Sequence, residues 1–326
     1  MDGRALYETR FPLMGGGAFF QFVDDRGRER AEQIARAAER EAQRIEVKFS
    51  RYREKSVVSE INRNAGRTPV AVDEETDMLV RSALDLTRLT GGRFDPTVGA
   101  LRRVWDFRSR RVPSADEIAA HLPLVNAAAV STRERTVFLR REGMEIDLGG
   151  VGKEYAVDRA AELLRAEGIR AAIVSFAGDV RTIGHRGDGR PWNVGVADPS
   201  DPGRCRFSVH VIGDAGIATS GNYERGFVKS GMRYHHILDA TTGWPARGVA
   251  SATVVAATAF RAGGYSTAAL LLGEEAGLAL LEETPGVEGA LITERGVVLA
   301  TSGMRFLSDL PRSAWEGPRA AAPPDI

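Results

Sequence analysis

The fold is decided by the stretch Met144-Glu145-Ile146-Asp147-Leu148-Gly149-Gly150-Val151-Gly152-Lys153. Its apolar start predicts a strand from Met144 to Leu148, and the glycines that follow predict a turn. A helix is then expected from Tyr155 to Glu167, with Gly168 after it, and another strand from Ala171 to Phe176. This order predicts an α/β fold (α+β mixed) with a mixed β-sheet core and surrounding helices.

Helices and strands are also expected on both sides of this stretch. One strand is predicted across residues 11–23, and apolar residues at helical spacing predict a helix from Ala31 to Phe49. Asp73 and Ser114 stand where each would cap a further helix, and a buried helix is expected from Ser266 to Leu280. Later strands are expected at Trp192–Ala197, Arg206–Ile212, Gly216–Ala218, Val249–Ala256 and Ala290–Thr293.

The composition is that of an ordinary globular chain. Of its 326 residues, 43% are hydrophobic and 27% charged, and 44 basic and 44 acidic side chains give a net charge of zero. Without a repeat or a linker rich in proline or serine, we expect one domain over 11–310, an N-terminal lead over 1–10 and a flexible tail over 311–326. Zero net charge gives no global field for nucleic acid or an anionic membrane, so neither partner is expected.

The first residues and the cysteine content bear on location and chemistry. No apolar signal segment follows Met1, and no window reaches the roughly 18 apolar residues of a membrane span, so a cytoplasmic protein without membrane insertion is expected. Cys205 is the only cysteine, which excludes an internal disulfide and a multi-cysteine metal site. We expect it to be a packed thiol on a strand.

The turn at Gly149–Gly152 is only superficially like a phosphate loop. A Walker A loop has glycine where Asp147 stands, and serine or threonine where Glu154 stands. The turn and the helix N-terminus still favour an anion, with Lys153 close by, although a purely structural turn is the simpler interpretation of this feature alone. Asp147 lies at the end of one predicted strand and Asp179 follows the next, and two carboxylates at one sheet edge indicate a cleft.

His236 is the candidate for proton transfer. It stands in His235-His236-Ile237-Leu238-Asp239-Ala240-Thr241-Thr242-Gly243, a turn that brings together an imidazole, a carboxylate and two hydroxyls. A histidine tuned near neutrality transfers protons, whereas a lone histidine is more often structural. The chain has no Gly-x-Ser-x-Gly elbow and no His-x-x-x-His spacing. Asp158, on the helix after the glycine turn, is expected to be solvated.

Eight segments in order resemble the FAD:protein FMN transferase (ApbE-type) family, over residues 11–307. They are Met14-Gly15, Phe49–Tyr52 with Ser59–Asn62, Gly92–Gly99, Asp147–Asp158, Ala177–Asp179, Ala218–Gly221, the His236 turn and Ser266–Ala268. Each is weak alone, but their order is specific. The family splits FAD and transfers FMN to a threonine or serine hydroxyl of a target flavoprotein, releasing AMP. The resemblance therefore implies FAD as substrate, Mg²⁺ as cofactor and a flavoprotein as partner.

Matching the motifs position by position implies three sets of site residues. His236 matches the residue needed for transfer and is the implied general base. Gly150, through its carbonyl, and Thr267 match the positions of metal ligands. The residues implied to line the FAD site are Met14, Tyr52, Arg93, Phe94, Asp95, Asp147, Lys153 and Leu238.

Gly263 departs from the family's pattern. The family's Asp-Ala-Leu-Ser-Thr run places a carboxylate one helical turn before the threonine, and Gly263 stands in that position. Because hard cations favour charged oxygen ligands, a weakened magnesium site is expected, with Glu154 or the substrate's phosphates as alternative sources of charge. Gly263→Asp is then expected to tighten magnesium binding. Ala177 and Ala240 are milder departures.

This departure leaves two other functions open beside FMN transfer. One is a flavin-binding protein that has lost catalysis and serves as a carrier, sensor or partner. The other is slow metal-dependent hydrolysis of FAD to FMN and AMP, without transfer. Covalent labelling of an acceptor and release of AMP distinguish the three.

Overall fold

The computed structural model of the chain describes residues 5–186, 188–304, 306–307 and 315–316. The α-helices in these residues are α1 (Arg28–Phe49), α2 (Val57–Arg63), α3 (Glu74–Leu89), α4 (Ala115–His121), α5 (Gly152–Ala166), α6 (Ala259–Leu272) and α7 (Glu274–Glu283). Short 3₁₀-helices cover Gly99–Arg103, Leu122–Leu124 and Ala127–Ala129.

The strands occur in the order that follows. They are β1 (Ala5–Leu13), β2 (Gly16–Asp24), β3 (Val70–Ala71), β4 (Val130–Arg133), β5 (Thr136–Leu139), β6 (Ala172–Phe176), β7 (Asp179–Ile183), β8 (Trp192–Asp198), β9 (Asp201–Val211), β10 (Ala215–Gly221), β11 (Gly226–Lys229), β12 (Met232–His235), β13 (Val249–Ala256), β14 (Glu288–Thr293), β15 (Val298–Ala300), β16 (Phe306–Leu307) and β17 (Trp315–Glu316).

A nine-stranded sheet, in the order β1-β2-β6-β7-β10-β13-β14-β15-β17, runs through the centre of the protein. Its neighbours pair antiparallel, except that β15 and β17 are parallel. Smaller sheets in the described residues are β3-β5-β4, β16-β9-β8 and β11-β12. The predicted mixed α/β fold, with a sheet core and surrounding helices, is confirmed.

The central strand β6 shows how the two faces of the sheet are covered. Val174 and Phe176 belong to an apolar core that includes α1 and α5, whereas Ile173, next to Val174 in the strand, belongs to a second core with β8 and β9. Successive side chains of a strand point to opposite faces, so β6 is buried along its whole length. The sheet therefore has helices on one face and a small antiparallel sheet on the other.

The starts of α3 and α4 were predicted well because their caps are local. The Asp73 side chain accepts a hydrogen bond from the Thr76 amide at the start of α3. Ser114 caps α4 and forms a capping box with Glu117. In both cases an oxygen side chain satisfies an amide that has no partner within the helix, as the sequence indicated.

The single strand predicted across residues 11–23 is wrong. β1 and β2 form a hairpin whose turn is Met14-Gly15, with φ values of 51° and 77°. Gly15, Gly16 and Gly17 form a run of glycines at this turn, which is a turn signal that the single-strand prediction did not use. β1 pairs with β2 from Ala5 onward, so residues 5–10, expected to be a lead, belong to the sheet.

Two further predicted elements are also wrong. Residues 144–148 make only a single bridge, between Glu145 and Val98, and the Asp147 amide donates to the Pro96 carbonyl, so this segment is an extended loop. The long helix predicted from Ser266 to Leu280 is interrupted at Gly273, whose φ of 87° ends α6 before α7 begins.

The tail predicted over residues 311–326 lies outside the described residues, apart from β17. No helix in the described ranges is both long and apolar enough to cross a membrane. The cytoplasmic location stays a prediction from the sequence.

Candidate active site

Arg93 joins three segments that the sequence separates widely. Its Nη1 donates to Asp239 Oδ2 at 3.1 Å and to the Leu271 carbonyl at 3.2 Å, and its own carbonyl accepts from the Ala240 amide at 2.9 Å. The loop after α3, the turn that follows His236 and the end of α6 therefore lie together. The guanidinium remains half exposed, so it can still contact a ligand.

Asp95 shapes this loop from within the protein. One carboxylate oxygen accepts from the Thr97 amide at 2.7 Å and from its hydroxyl at 2.5 Å, and the other accepts from the Ala127 amide at 2.7 Å. Burial raises the pKa of Asp95. The adjacent Phe94 ring lies against the glycine turn, since a Cβ on Gly150 would be 3.1 Å from Phe94 Cε2. Asp95 thus holds the loop just after Phe94, whose ring lies over Gly150.

Asp147 lies among cationic side chains. Its Oδ2 is 2.7 Å from Arg102 Nη2 and 3.5 Å from Arg51 Nε, and its Oδ1 accepts from the Gly149 amide. Arg102 also donates to the Tyr52 hydroxyl at 2.9 Å, and the Arg51 guanidinium lies 4.6 Å from the Tyr52 ring centroid. Tyr52 is 68% exposed. An exposed aromatic ring beside two guanidiniums suits a flat, anionic ligand.

Arg51 and Arg102 were missed as site residues. Arg51 lies in one of the segments that carry the family resemblance, but nothing in its spacing pairs it with Asp147. Arg102 lies in the 3₁₀-helix Gly99–Arg103, next to Arg103. Nothing in the sequence distinguishes it from its neighbour as a site residue. Arg51 and Arg102 are both brought to Asp147 only by tertiary packing.

The orientation of His236 is fixed by its neighbour in space, Arg225. His236 Nδ1 is 3.2 Å from the Arg225 carbonyl oxygen and donates to it, and the His236 amide donates to the same carbonyl at 3.1 Å. The proton on Nδ1 leaves Nε2 with the lone pair that a base needs. The preceding His235 is fully buried and its Nε2 donates to the Ala246 carbonyl, so His235 is structural.

We predict that the His236 ring titrates far below an ordinary histidine. Burial, and then the charge of Arg225, lower the pKa of His236 from 6.5 to about 4, whereas the sequence predicted a value near neutrality. NMR titration with histidine-selective ¹³C labelling measures it, and loss of one resonance in His236→Asn assigns the signal. A midpoint near 6.5 would contradict this lowered pKa.

Lys153, Glu154 and Asp179 form a buried charge cluster at the start of α5. Lys153 Nζ is 2.7 Å from Asp179 Oδ2, and Asp179 Oδ1 accepts from the Thr219 amide at 3.2 Å. Although burial opposes its charge, the carboxylates of Asp179 and Glu154 hold the pKa of Lys153 above its usual range. Burial, and then the charge of Asp179, raise the pKa of Glu154 to about 8. Lys153 is thus neutralised within the protein.

Thr267 lies in a network of hydroxyls between α6 and β10. Ser220 Oγ is 2.9 Å from both Thr267 Oγ1 and Ser266 Oγ, and Ser266 Oγ donates to the Gly263 carbonyl at 3.0 Å. The face of α6 that carries Gly263 and Thr267 therefore meets the end of β10.

Asp158 is buried, not solvated as the sequence predicted. Its carboxylate accepts from the amides of Ala259 at 2.9 Å and Phe260 at 2.8 Å, at the N-terminus of α6. Arg181 Nε is 3.5 Å away. Burial raises the pKa of Asp158, while the helix amides favour its charged form. Asp158 thereby fixes α6, and with it Thr267, against α5.

The remaining predicted residues lie at the margins of this region. The Met14 amide donates to Glu46 Oε1 at 3.0 Å, and a Cβ on Gly15 would be 3.9 Å from Arg225 Nη2, so the β1–β2 turn lies near the Arg225 side chain. Leu238 is 8% exposed and packs in an apolar cluster with Leu101, Trp105 and Ile118. Its side chain belongs to this apolar cluster.

Comparison with known proteins is consistent with this arrangement. The model of the ApbE family matches residues 14–291. The FAD:protein FMN transferase of Treponema pallidum is 34% identical over 280 residues, which cover 80% of this chain and 77% of that protein. The Vibrio cholerae protein of the same name is 31% identical over 276 residues, 83% of each.

Solved structures agree over almost the whole fold. The ApbE protein of Thermotoga maritima has a TM-score of 0.82 and 36% identity, covering 90% of this chain and 96% of that one. The flavin transferase ApbE of Vibrio cholerae has a TM-score of 0.80 and 29% identity, covering 92% and 98%. With a family model that matches most of its length and a fold that matches these structures, this chain belongs to the ApbE family.

Proposed function

We propose that this protein is an FAD:protein FMN transferase, which moves FMN from FAD to a threonine or serine hydroxyl of a target flavoprotein and releases AMP. The observation that carries the proposal is His236, whose Nδ1 is held by the Arg225 carbonyl so that Nε2 serves as the base. The family's relatives named above are FAD:protein FMN transferases, which supports the same reaction.

The reaction needs one proton acceptor and one leaving group. His236 Nε2 takes the proton of the acceptor hydroxyl, whose oxygen attacks the phosphorus of the FMN half of FAD. A new phosphorus–oxygen bond forms, the pyrophosphate bond breaks, and AMP leaves with the bridging oxygen. A dianionic pyrophosphate beside His236 favours the imidazolium, which raises the low pKa of the ring in the substrate complex and makes it a stronger base there.

The described residues fit a divalent cation of the magnesium type. The part of the chain that the structure describes holds no group of three or more histidine, cysteine or acidic residues able to bind a metal, so the donors must include carbonyl and hydroxyl oxygens. The Gly150 carbonyl and the Thr267 hydroxyl are the candidates, and a buried carboxylate oxygen of Glu154 has no hydrogen-bond partner. Such a cation neutralises charge on the pyrophosphate.

FAD is held, on this proposal, by aromatic and cationic side chains around the glycine turn. Tyr52 and Phe94 offer ring faces, and Arg51, Arg93 and Arg102 offer guanidiniums for phosphate or carbonyl oxygens. Because Arg51 and Arg102 already pair with Asp147, their charges are held in place before the ligand binds, which reduces the entropy lost on binding.

The test is transfer to a defined acceptor. Incubation with FAD, Mg²⁺ and a flavoprotein domain that accepts FMN on a threonine is expected to give covalent in-gel flavin fluorescence and an equal amount of AMP. The same domain with that threonine changed to valine is the control and stays unlabelled. AMP without labelling would instead show hydrolysis of FAD, and FAD binding without AMP would show a binding protein, either of which overturns the proposal.

A further inference from the structure

The Glu154 side chain occupies the space that a side chain at position 263 would need. A Cβ added to Gly263 would lie 2.4 Å from Glu154 Cγ, 2.8 Å from its Cδ and 3.1 Å from its Oε1. The two carbon–carbon distances are shorter than real Cβ contacts, so Glu154 and a side chain at 263 exclude each other in this arrangement. The Glu154 carboxyl of α5 therefore lies beside Gly263 of α6, the position where the family's pattern has an aspartate.

This placement brings the Glu154 carboxyl to the face of α6 that carries Thr267. Residues four apart in a helix lie on the same face, one turn above the other. Gly263 and Thr267 are so related, and both contact the hydroxyl network, Gly263 through its carbonyl to Ser266 and Thr267 through Ser220. A carboxyl packed on Gly263 is therefore presented one helical turn from the Thr267 hydroxyl.

The Glu154 carboxyl lacks partners that its burial demands. Glu154 is 6% exposed, and its Oε2 is buried without a hydrogen-bond partner. The nearby Asp179 is also buried, and Lys153 offers only one positive charge to the two carboxylates. An ionised Glu154 beside Asp179 would leave this cluster with one negative charge in excess, which is costly in a buried site unless another cation is present.

We propose that Glu154 supplies the carboxylate ligand of the divalent cation, together with Thr267, and that Gly263 is the residue that makes room for it. This inference rests on the proposed function for the identity of the site. The carboxylate reaches the cation from α5 in place of α6, so the absence of an aspartate at 263 does not remove the anionic ligand but moves it.

The proposal reverses one expectation drawn from the sequence. Gly263→Asp alone was expected to tighten magnesium binding. In the structure the new side chain overlaps Glu154 Cγ and adds a third carboxylate beside Glu154 and Asp179. Steric overlap and like-charge repulsion are both unfavourable. The aspartate is accommodated only where Glu154 is removed, as in the double variant Glu154→Gly/Gly263→Asp.

The experiment measures Mn²⁺ binding in the presence of FAD, with free Mn²⁺ detected by electron paramagnetic resonance. Glu154→Gln, which keeps the shape and removes the charge, is expected to weaken Mn²⁺ binding about tenfold or more, since changes even to outer-sphere groups cost metal sites roughly 10–100-fold. Glu154→Gly is expected to weaken it as much, and Glu154→Gly/Gly263→Asp to restore it to within about threefold of the wild type. Glu162→Gln, on the exposed side of α5, is the matched control and binds Mn²⁺ like the wild type.

The outcomes separate this inference from the proposed function. Wild-type Mn²⁺ affinity in Glu154→Gln, or no recovery in the double variant when circular dichroism shows it folded, overturns the role of Glu154 and leaves FMN transfer untouched. Absence of Mn²⁺ binding to the wild type with FAD overturns it as well. If the wild type fails to label an acceptor but its Mn²⁺ binding depends on Glu154, the proposed transferase activity is overturned and the role of Glu154 as a metal ligand is supported.

Discussion

His236→Ala is expected to reduce the rate constant for FMN transfer about 100- to 10,000-fold, the range that a positioned general base contributes, while FAD still binds. The imidazole is the group whose free lone pair, on Nε2, is set by a hydrogen bond from Nδ1 to the Arg225 carbonyl. Loss of the ring removes the proton acceptor but none of the side chains proposed to hold FAD. Single-turnover labelling of the acceptor and FAD titration by fluorescence measure the two quantities separately.

Two further variants show whether the base or the fold is responsible. His236→Asn keeps a side-chain donor for the Arg225 carbonyl but has no Nε2, so it is expected to be as inactive as His236→Ala. His210→Ala, on β9 and away from the site, changes the same residue type and is expected to transfer at the wild-type rate. A His236→Asn enzyme with more than about a tenth of the wild-type rate would show that Nε2 is not the base.

The parts of the fold that could be predicted are those written in local patterns. α1 follows from apolar residues at helical spacing, and the starts of α3 and α4 follow from Asp73 and Ser114. The β1–β2 hairpin escaped prediction because the apolar residues on both sides of Met14-Gly15 resemble one continuous strand, although Gly15, Gly16 and Gly17 are themselves a turn signal. Residues 144–148 have the apolar pattern of a strand, but they make only a single bridge, to Val98, and a hydrogen bond to the Pro96 carbonyl.

The sequence indicated several of the segments that meet in the proposed site, but not the partners of their side chains. The ordered segments led to Lys153 at the start of α5, to Thr267, which contacts Ser220 of β10, and to His236, which follows β12. What the sequence could not show is which charges cancel. Asp158 was expected to be solvated, but its carboxylate accepts hydrogen bonds from two amides of α6. The carboxylate that is missing at Gly263 is matched by the Glu154 carboxyl, which lies against Gly263. Such compensation between helices is a property of packing alone.

Lys153 illustrates the difference between contacting a ligand and balancing a charge. The resemblance implies that it lines the FAD site, and the structure pairs its Nζ with Asp179, whose side chain is 2% exposed. Removing one partner of a buried ion pair leaves an uncompensated charge, which typically costs about 3–5 kcal/mol. Lys153 is itself 26% exposed in its side chain, and solvent screening reduces the cost.

Lys153→Met is therefore expected to lower the free energy of unfolding by about 2–3 kcal/mol, measured by urea denaturation without FAD. Lys153→Met/Asp179→Asn is expected to regain more than half of this loss, because the amide oxygen of the introduced asparagine still accepts from the Thr219 amide while the buried charge is gone. Arg165 lies on the same helix as Lys153 and forms a half-exposed ion pair with Asp214. Arg165→Met is the control and is expected to lower the free energy of unfolding by less than about 1 kcal/mol. If Lys153→Met is as stable as the wild type, and Lys153→Met/Asp179→Asn regains nothing, then the Lys153 ammonium does not stabilise the buried Asp179 and is free to bind the pyrophosphate.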